Sequence, residues 1–355
     1  MYASTRLISI KAFTPEGMKL RDRIMEDGVE GLIFCDVFKH GEKIRKVPLV
    51  EKDDRRDATS PLGEWVRECF ANHIGMIYIG AAAIAVRQIA PHIIGKLVDS
   101  PVIVIDEKGE YVIPILSGHV GGANEISLKI ADKLGGKAVI TTATDVNKKK
   151  SIDIYAKENY LGITNKDAIK NVSMKMLRNE EVRRGEDFDI VSFEDYLNPK
   201  IYGPGEKLLL YEKPYVIGIG CRKDIKASRL SRFITENIAE YINSGVEIND
   251  FMKGVAAITS IDLKREEMAV NLWAEQNMIP FVTYGRDELL AVPGEFTESQ
   301  FVEETVGVGS VCERAASCFA AGRGGNYEIP VRKVSRDGMT FALAYSTNMI
   351  YPDFV

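Results

Sequence analysis

The sequence has little of what builds metal cages and disulfide frameworks. Its 355 residues include five cysteines and four histidines. The cysteines (Cys35, Cys69, Cys221, Cys312 and Cys318) are odd in number, and no two stand in CxxC spacing. A disulfide framework or a zinc site is therefore not expected, and a reducing compartment is. The histidines lie far apart, which argues against a metal held by the protein itself. HExxH and Walker A sequences are absent, and the glycine turns at 218–224 and 305–317 lack the third glycine of a dinucleotide fingerprint. Long apolar runs are missing as well. The longest, MIYIGAAAIAV at 76–86, falls well short of the ~20 residues that span a bilayer. The opening MYASTRLISIKAF does not have the layout of a secretory signal. The expectation is a cytoplasmic protein with no membrane partner. Positive charge is in deficit too, with a formal net charge of -5. Nucleic acid is thus not expected as a partner, although a local basic cluster could still meet an anionic small molecule.

What is present reads as an ordinary globular chain, 45% hydrophobic and 27% charged. Its length suits two or three domains. Strand-like and helix-like stretches alternate. LISIKAF (7–13) reads as a strand, and TPEGMKLRDRIMEDG as a helix with Thr14 a candidate N-cap and Pro15 in the first turn. VEGLIFCDVF, GMIYIG, PVIVID (101–106), EYVIPIL (110–116) and KAVIT (137–141) read as strands, the third and fourth of these joined as a hairpin through Lys108-Gly109. From about 147 to 210 the pattern weakens, with a Lys148-Lys149-Lys150 run, helical pieces and the turn-rich NPKIYGPGEK. A fresh alternation starts at YVIGIG (215–220) and ends in a hairpin turning at Asp337-Gly338. The fold class expected is α/β: two α/β domains with mostly parallel sheets, at 1–146 and 213–355, joined by a smaller connecting subdomain at 147–212.

The most informative stretch is LSGHVGGANE (116–125). A glycine-rich entry into a helix lets an anion approach backbone amides at the positive end of the helix dipole. Ser117, Gly118, Gly121, Gly122 and Asn124 are candidate ligand-binding residues there, for a carboxylate as readily as a phosphate. The alternative is a turn whose glycines only accommodate backbone torsions. His119 reads as a general acid or base, as a metal ligand, or as neither. TTATD (141–145) follows a strand, so Thr141, Thr142, Thr144 and Asp145 could bind polar groups or orient water, or could simply cap a helix. Arg87, in the apolar GAAAIAVRQIAP, pairs with a ligand carboxylate or with a structural acid. In GIGCRKD, Arg222 and Lys223 could meet an anion, while Cys221 has no histidine near it in sequence and is not expected to be a nucleophile. Glu313 and Arg314, in TVGVGSVCERAAS, are expected to face solvent or a cleft.

GAAAIAVRQIAP, DEKGEYVIPILSGHVGGANEIS and AVITTATD resemble the N-terminal half of the cobalt-precorrin-5A hydrolase family; VIGIGCRKD, ITSIDLKREE and VGVGSVCERAA resemble its C-terminal half. The blocks occur in the family's order and cover both ends of the chain. The match departs at FTESQFV (296–302), where the family pattern has a Thr-Pro-Ser type sequence. The resemblance implies a step of anaerobic cobalamin biosynthesis. A cobalt tetrapyrrole with acetate and propionate arms has its ring A δ-lactone opened by water, and the extra meso carbon leaves with its methyl as acetaldehyde. It implies no organic cofactor, cobalt carried by the substrate, and other enzymes of the pathway as partners. Set against that chemistry, His119 is the expected acid/base group, or an axial ligand of the substrate's cobalt. Asp145 is the water-orienting partner, and Gly121-Gly122-Ala123 supplies oxyanion donors. Arg87, Arg222 and Lys223 clamp carboxylate arms, in a cleft expected between the two domains. A non-catalytic tetrapyrrole carrier, a nucleotide- or sugar-phosphate-binding enzyme and an assembly protein are the rival readings.

Overall fold

A computed structural model of the chain describes residues 5–36, 45–46, 62–143, 151–198, 207–243 and 245–354. These fall into two compact units, 5–143 and 151–354.

The first unit is a seven-stranded sheet between two helical layers. Its elements are β1 (Arg6–Ala12), α1 (Pro15–Asp27), β2 (Leu32–Asp36), β3 (Arg45–Lys46), α2 (Leu62–Ala71), β4 (Gly75–Ile79), α3 (Ala82–Ile89), β5 (Val102–Ile105), β6 (Tyr111–Leu116), α4 (Ala123–Leu134) and β7 (Lys137–Ala138). The strand order is β3-β2-β1-β4-β5-β6-β7. β2, β1, β4 and β5 run parallel, and β6 turns back antiparallel to β5. β4 and β5 are buried at every position, as strands covered on both faces must be. α1 starts as its sequence predicts: Thr14 Oγ accepts from Gly17 N at 3.0 Å, with Pro15 following. Leu20 and Ile24 of α1 and Ile126, Ile130 and Ala131 of α4 pack on Ile8, Ile77, Ile103 and Ile105, forming one face. α2 covers the other face, where Trp65 donates to Ser9 Oγ at 2.9 Å and meets Tyr78 edge-on. α3 lies beside α2.

The strand expected over 137–141 is shorter than its sequence suggests. Only Lys137 and Ala138 join the ladder, with Val139 N donating to Val112 O. Two residues beyond Val112, on the same side of β6, stands Pro114, which has no N–H to continue the pairing.

The second unit holds two sheets. The smaller comes from α5 (Ile152–Glu158), β8 (Gly162–Ile163), α6 (Ile169–Leu177), β9 (Phe188–Val191), α7 (Phe193–Leu197) and β10 (Leu208–Tyr211), in the order β8-β10-β9. The larger comes from β11 (Tyr215–Cys221), α8 (Ala227–Ile242), α9 (Ile248–Lys253), β12 (Val255–Ile261), α10 (Met268–Gln276), β13 (Phe281–Tyr284), α11 (Arg286–Ala291), α12 (Gln300–Val306), α13 (Val311–Ala321), β14 (Asn326–Arg336) and β15 (Met339–Thr347). Its order is β13-β12-β11-β15-β14, with the first three strands parallel and the last two a hairpin. Asp337 and Gly338 both have positive φ, 52° and 77°, the conformation an Asp-Gly hairpin turn favours. α8 and α10 pack on one face around Phe233, Ile258 and Phe341. α11 and α13 pack on the other around Val216, Val282 and Ala344. A Cβ on Gly218 would collide with the carbonyl of Cys312, so a glycine there lets α13 lie directly on β11.

Aromatic side chains fasten the two sheets together. Tyr160 meets Phe319 edge-on at 4.7 Å, and Phe193 fills the space left by the missing side chain of Gly254. The segment after β15 returns to the small sheet, where Phe354 packs on Tyr155 and Phe188 and Tyr155 Oη donates to Pro352 O at 2.7 Å. The fold is mixed α/β with mostly parallel sheets. No described helix is long and apolar enough to cross a membrane.

Candidate functional site

The turn after β6 is placed by the reversal of that strand. Leu116 pairs with Val102, so residues 117–122 lie at the edge where β1, β4 and β5 begin. β7 runs parallel to β6, and Thr141 and Thr142 leave the sheet at that same edge. The two motifs SGHVGGAN and TTATD thus meet within one unit. Asn124, 8% exposed, donates through Nδ2 to Thr142 Oγ1 at 3.2 Å. Thr141 is exposed, Thr142 half-buried, and Thr144 and Asp145 lie outside the described residues.

The chain enters the turn through Ser117, held at φ 56°, and leaves through Gly122 at φ 83°. The turn satisfies most of the helix start by itself. Gly122 N donates to His119 O at 3.0 Å, Ala123 N to Ser117 O at 3.1 Å, and Asn124 N to Gly118 O at 3.1 Å. Of the three amides expected to serve as oxyanion donors, two are therefore committed to loop carbonyls, and Gly121 N–H remains. This leaves the helix start less capacity to hold an anion than its sequence suggests. Ser117 Oγ is enclosed and has no hydrogen-bond partner among the described residues. A buried hydroxyl left unpaired costs about 1–3 kcal/mol. Gly121 passes directly over it, and a Cβ there would collide with Ser117 Oγ; one on Gly118 would press on Asn124 Oδ1. His119, half-buried, sits between these glycines.

Arg87 is exposed in the last turn of α3. α3 shares its layer with α2, and α4 packs on the opposite face of the sheet. The fold thus separates Arg87 from the Ser117–Asn124 turn by the thickness of the sheet. Arg222 and Lys223 are exposed in the loop after β11, in the second unit. Beside them Cys221 is half-buried, and burial pushes its thiol up to about 12 against a smaller opposing pull from Lys264. A thiol that stays protonated at neutral pH is a poor nucleophile. Among the described residues no group of three or more His, Cys, Asp and Glu side chains could hold a metal ion.

Glu313 corrects the sequence reading. It faces neither solvent nor a cleft: its carboxylate is fully buried. It accepts from Thr297 N at 2.5 Å, Thr297 Oγ1 at 3.0 Å, Ser310 Oγ at 3.0 Å and Lys333 N at 2.9 Å. Burial would raise its pKa, but these donors outweigh it and hold the carboxyl below the ordinary value. Arg314 bonds Glu298 at 2.8 Å and lies over the Phe296 ring. The FTESQFV loop, where the sequence departs from the family pattern, is thus tied to the start of α13. The sequence carried no signal for this, because the four donors come from three separate stretches of chain.

Comparison with known proteins places both halves of the chain. Residues 64–145 match the family described as Cobalamin synthesis G N-terminal, and residues 215–344 the one described as Cobalamin synthesis G C-terminus. The chain is 31% identical to a cobalt-precorrin-5A hydrolase of Salmonella typhimurium, over 89% of this chain and 92% of that protein. It is 30% identical to a cobalt-precorrin-5A hydrolase of Priestia megaterium, over 71% of this chain and 74% of that protein. A Methanocaldococcus jannaschii protein described as a probable cobalt-precorrin-5A hydrolase is 26% identical over 77% of this chain and 86% of that protein. The His119 turn falls in the first matched segment, and Gly218 and Glu313 fall in the second. Matched at both ends, and along nearly the full length of a curated hydrolase, the chain belongs to the cobalt-precorrin-5A hydrolase family.

Proposed function

We propose that the protein opens the ring A acetate δ-lactone of cobalt-precorrin-5A with water and releases acetaldehyde, leaving cobalt-precorrin-5B. Family membership supports the reaction. The observation that carries the site is the Asn124–Thr142 hydrogen bond, which makes one polar locus of two separate motifs.

Water adds to the lactone carbonyl, and the acyl–oxygen bond breaks to give a carboxylate and a hydroxyl on the meso carbon. His119 removes the proton from the attacking water, with Asp145 orienting that water. Gly121 N–H meets the oxyanion, and Ser117, whose hydroxyl is enclosed beneath Gly121, holds that amide in place. In the second stage the hydroxyl loses its proton, a carbon–carbon bond to the macrocycle breaks, and the electron pair passes into the ring. This makes the enzyme a hydrolase acting on a carbon–carbon bond. The ring system, with its cobalt, supplies the electron sink as substrate, so no organic cofactor enters. Asn124, Thr141, Thr142 and Thr144, with Gly118 and Gly122 shaping the turn, contact the polar arms. Arg222 and Lys223, in the second unit, are the candidate partners of carboxylates; Arg87, on the other face of the first unit's sheet, lies away from this turn.

Anaerobic incubation with cobalt-precorrin-5A, read by mass spectrometry of the macrocycle, tests the reading. Gain of water and loss of a two-carbon aldehyde is expected, and His119→Ala slows it roughly a hundred-fold or more. A folded His119→Ala variant with full turnover removes the acid/base role.

A further inference from the structure

At the carboxyl edge of the larger sheet in the second unit, one loop carries more positive charge than its fold uses. β11 and β12 run parallel, so the segments 222–226 and 262–267 leave the sheet side by side, at the edge where open α/β sheets take ligands. Two bonds tie the loop down: Arg222 N donates to Gly338 O at 2.9 Å, and Asp224 N to Glu267 Oε2 at 3.3 Å. Gly338 has no side chain to displace that of Arg222, which lies where its Cβ would stand.

The charges on the two segments are unlike. On 262–267, the buried Glu267 takes Lys264 at 3.4 Å, and Asp262, Arg265 and Glu266 balance to within one charge. On 222–229, Arg222, Lys223, Lys226 and Arg229 stand against Asp224. Arg229 is paired with Asp337 at 3.4 Å. Arg222, Lys223 and Lys226 are exposed, and no ion pair to them occurs among the described residues. These cations lead into α8, a 16-residue helix with no acid in its first turn and no side-chain cap. Cations at that end of a helix oppose its dipole, so the arrangement is unfavourable until an anion joins it. Leu263, 69% exposed on the neighbouring segment, adds an apolar surface beside the charges.

We propose that this edge is a carboxylate platform. Lys226, with Arg222 and Lys223, takes at least two acid arms of the macrocycle, and Leu263 lies against its ring. The identity of the ligand rests on the function proposed above; the platform itself requires only a flat ligand carrying several carboxylates.

A fluorescence titration of the full chain with uroporphyrin III, an eight-carboxylate porphyrin, at low and high salt tests it. Binding is expected to weaken with salt. Lys226→Glu should weaken it roughly three- to ten-fold and the Arg222→Glu/Lys226→Glu pair further, with Lys226→Arg near the parent. Lys170→Glu, an exposed change on α6, should leave it unaltered. No binding by the parent, or a double variant within two-fold of it, overturns the platform. Charge-dependent porphyrin binding by a parent that leaves cobalt-precorrin-5A intact would uphold the platform and sink the hydrolase reading instead.

Discussion

Asn124 Nδ2 donates to Thr142 Oγ1 across 18 residues of sequence, and this bond links the turn before α4 to the segment that leaves β7. Thr142→Val keeps the shape and removes the acceptor. It should cost about 1 kcal/mol of stability and lower kcat/KM more than a loss of that size explains, because Asp145 lies three residues further on. Thermal melting and steady-state kinetics measure the two effects. Unchanged kinetics in a slightly destabilised variant would show that the bond serves structure alone.

Ser117 and Gly121 should separate function from stability. Ser117 Oγ is buried without a partner, so Ser117→Ala should leave the melting temperature unchanged or raise it, since an unpaired polar atom is removed. Turnover should nevertheless fall. Gly121→Ala drives a Cβ into Ser117 and should lower both. A Ser117→Ala variant that melts early and turns over normally would reverse the assignment.

Glu313 gives the fold an acid-sensitive tie. Its folded pKa lies below the usual value of 4.5, so its contribution is fully present above that value and is lost as pH falls through the depressed one. Glu313→Gln should cost about 1–3 kcal/mol at neutral pH, and the gap to the parent should narrow in acid. Denaturant melts at pH 7 and pH 3 measure it, and a gap independent of pH would contradict the ionised form.

The thiols should be slow to react. Burial pushes Cys221 to about 12 and Cys312 and Cys318 to about 11. Native protein at pH 8 should alkylate with iodoacetamide far more slowly than free cysteine, and Cys221→Ser should keep its turnover. Rapid labelling of Cys221 coupled to loss of turnover would identify it as a nucleophile.

Strongly patterned elements could be read from the sequence. Thr14-Pro15 marked the start of α1, Asp337-Gly338 marked the last hairpin, and the all-apolar β4 and β5 marked a covered sheet. β9 and β10 were not legible: FDIV and LLLY are four residues each, too short to show a period, and their pairing is non-local. The site was legible as a motif but not as a set of donors. Nothing in SGHVGGAN told that Ser117 O and Gly118 O would occupy the amides of Ala123 and Asn124. Likewise the layer on which Arg87 sits depends on which face α3 covers, a property of the sheet and not of local sequence. Lys226 did carry a local signal, a cation where a helix start favours an acid.

The most direct test of the central claim is the yield of acetaldehyde. Purified protein is incubated anaerobically with cobalt-precorrin-5A, and the aldehyde is trapped as its hydrazone and counted against macrocycle consumed. The account predicts one acetaldehyde for each macrocycle converted, over many turnovers. Tight binding of the macrocycle with no aldehyde would contradict it and identify a carrier in place of an enzyme.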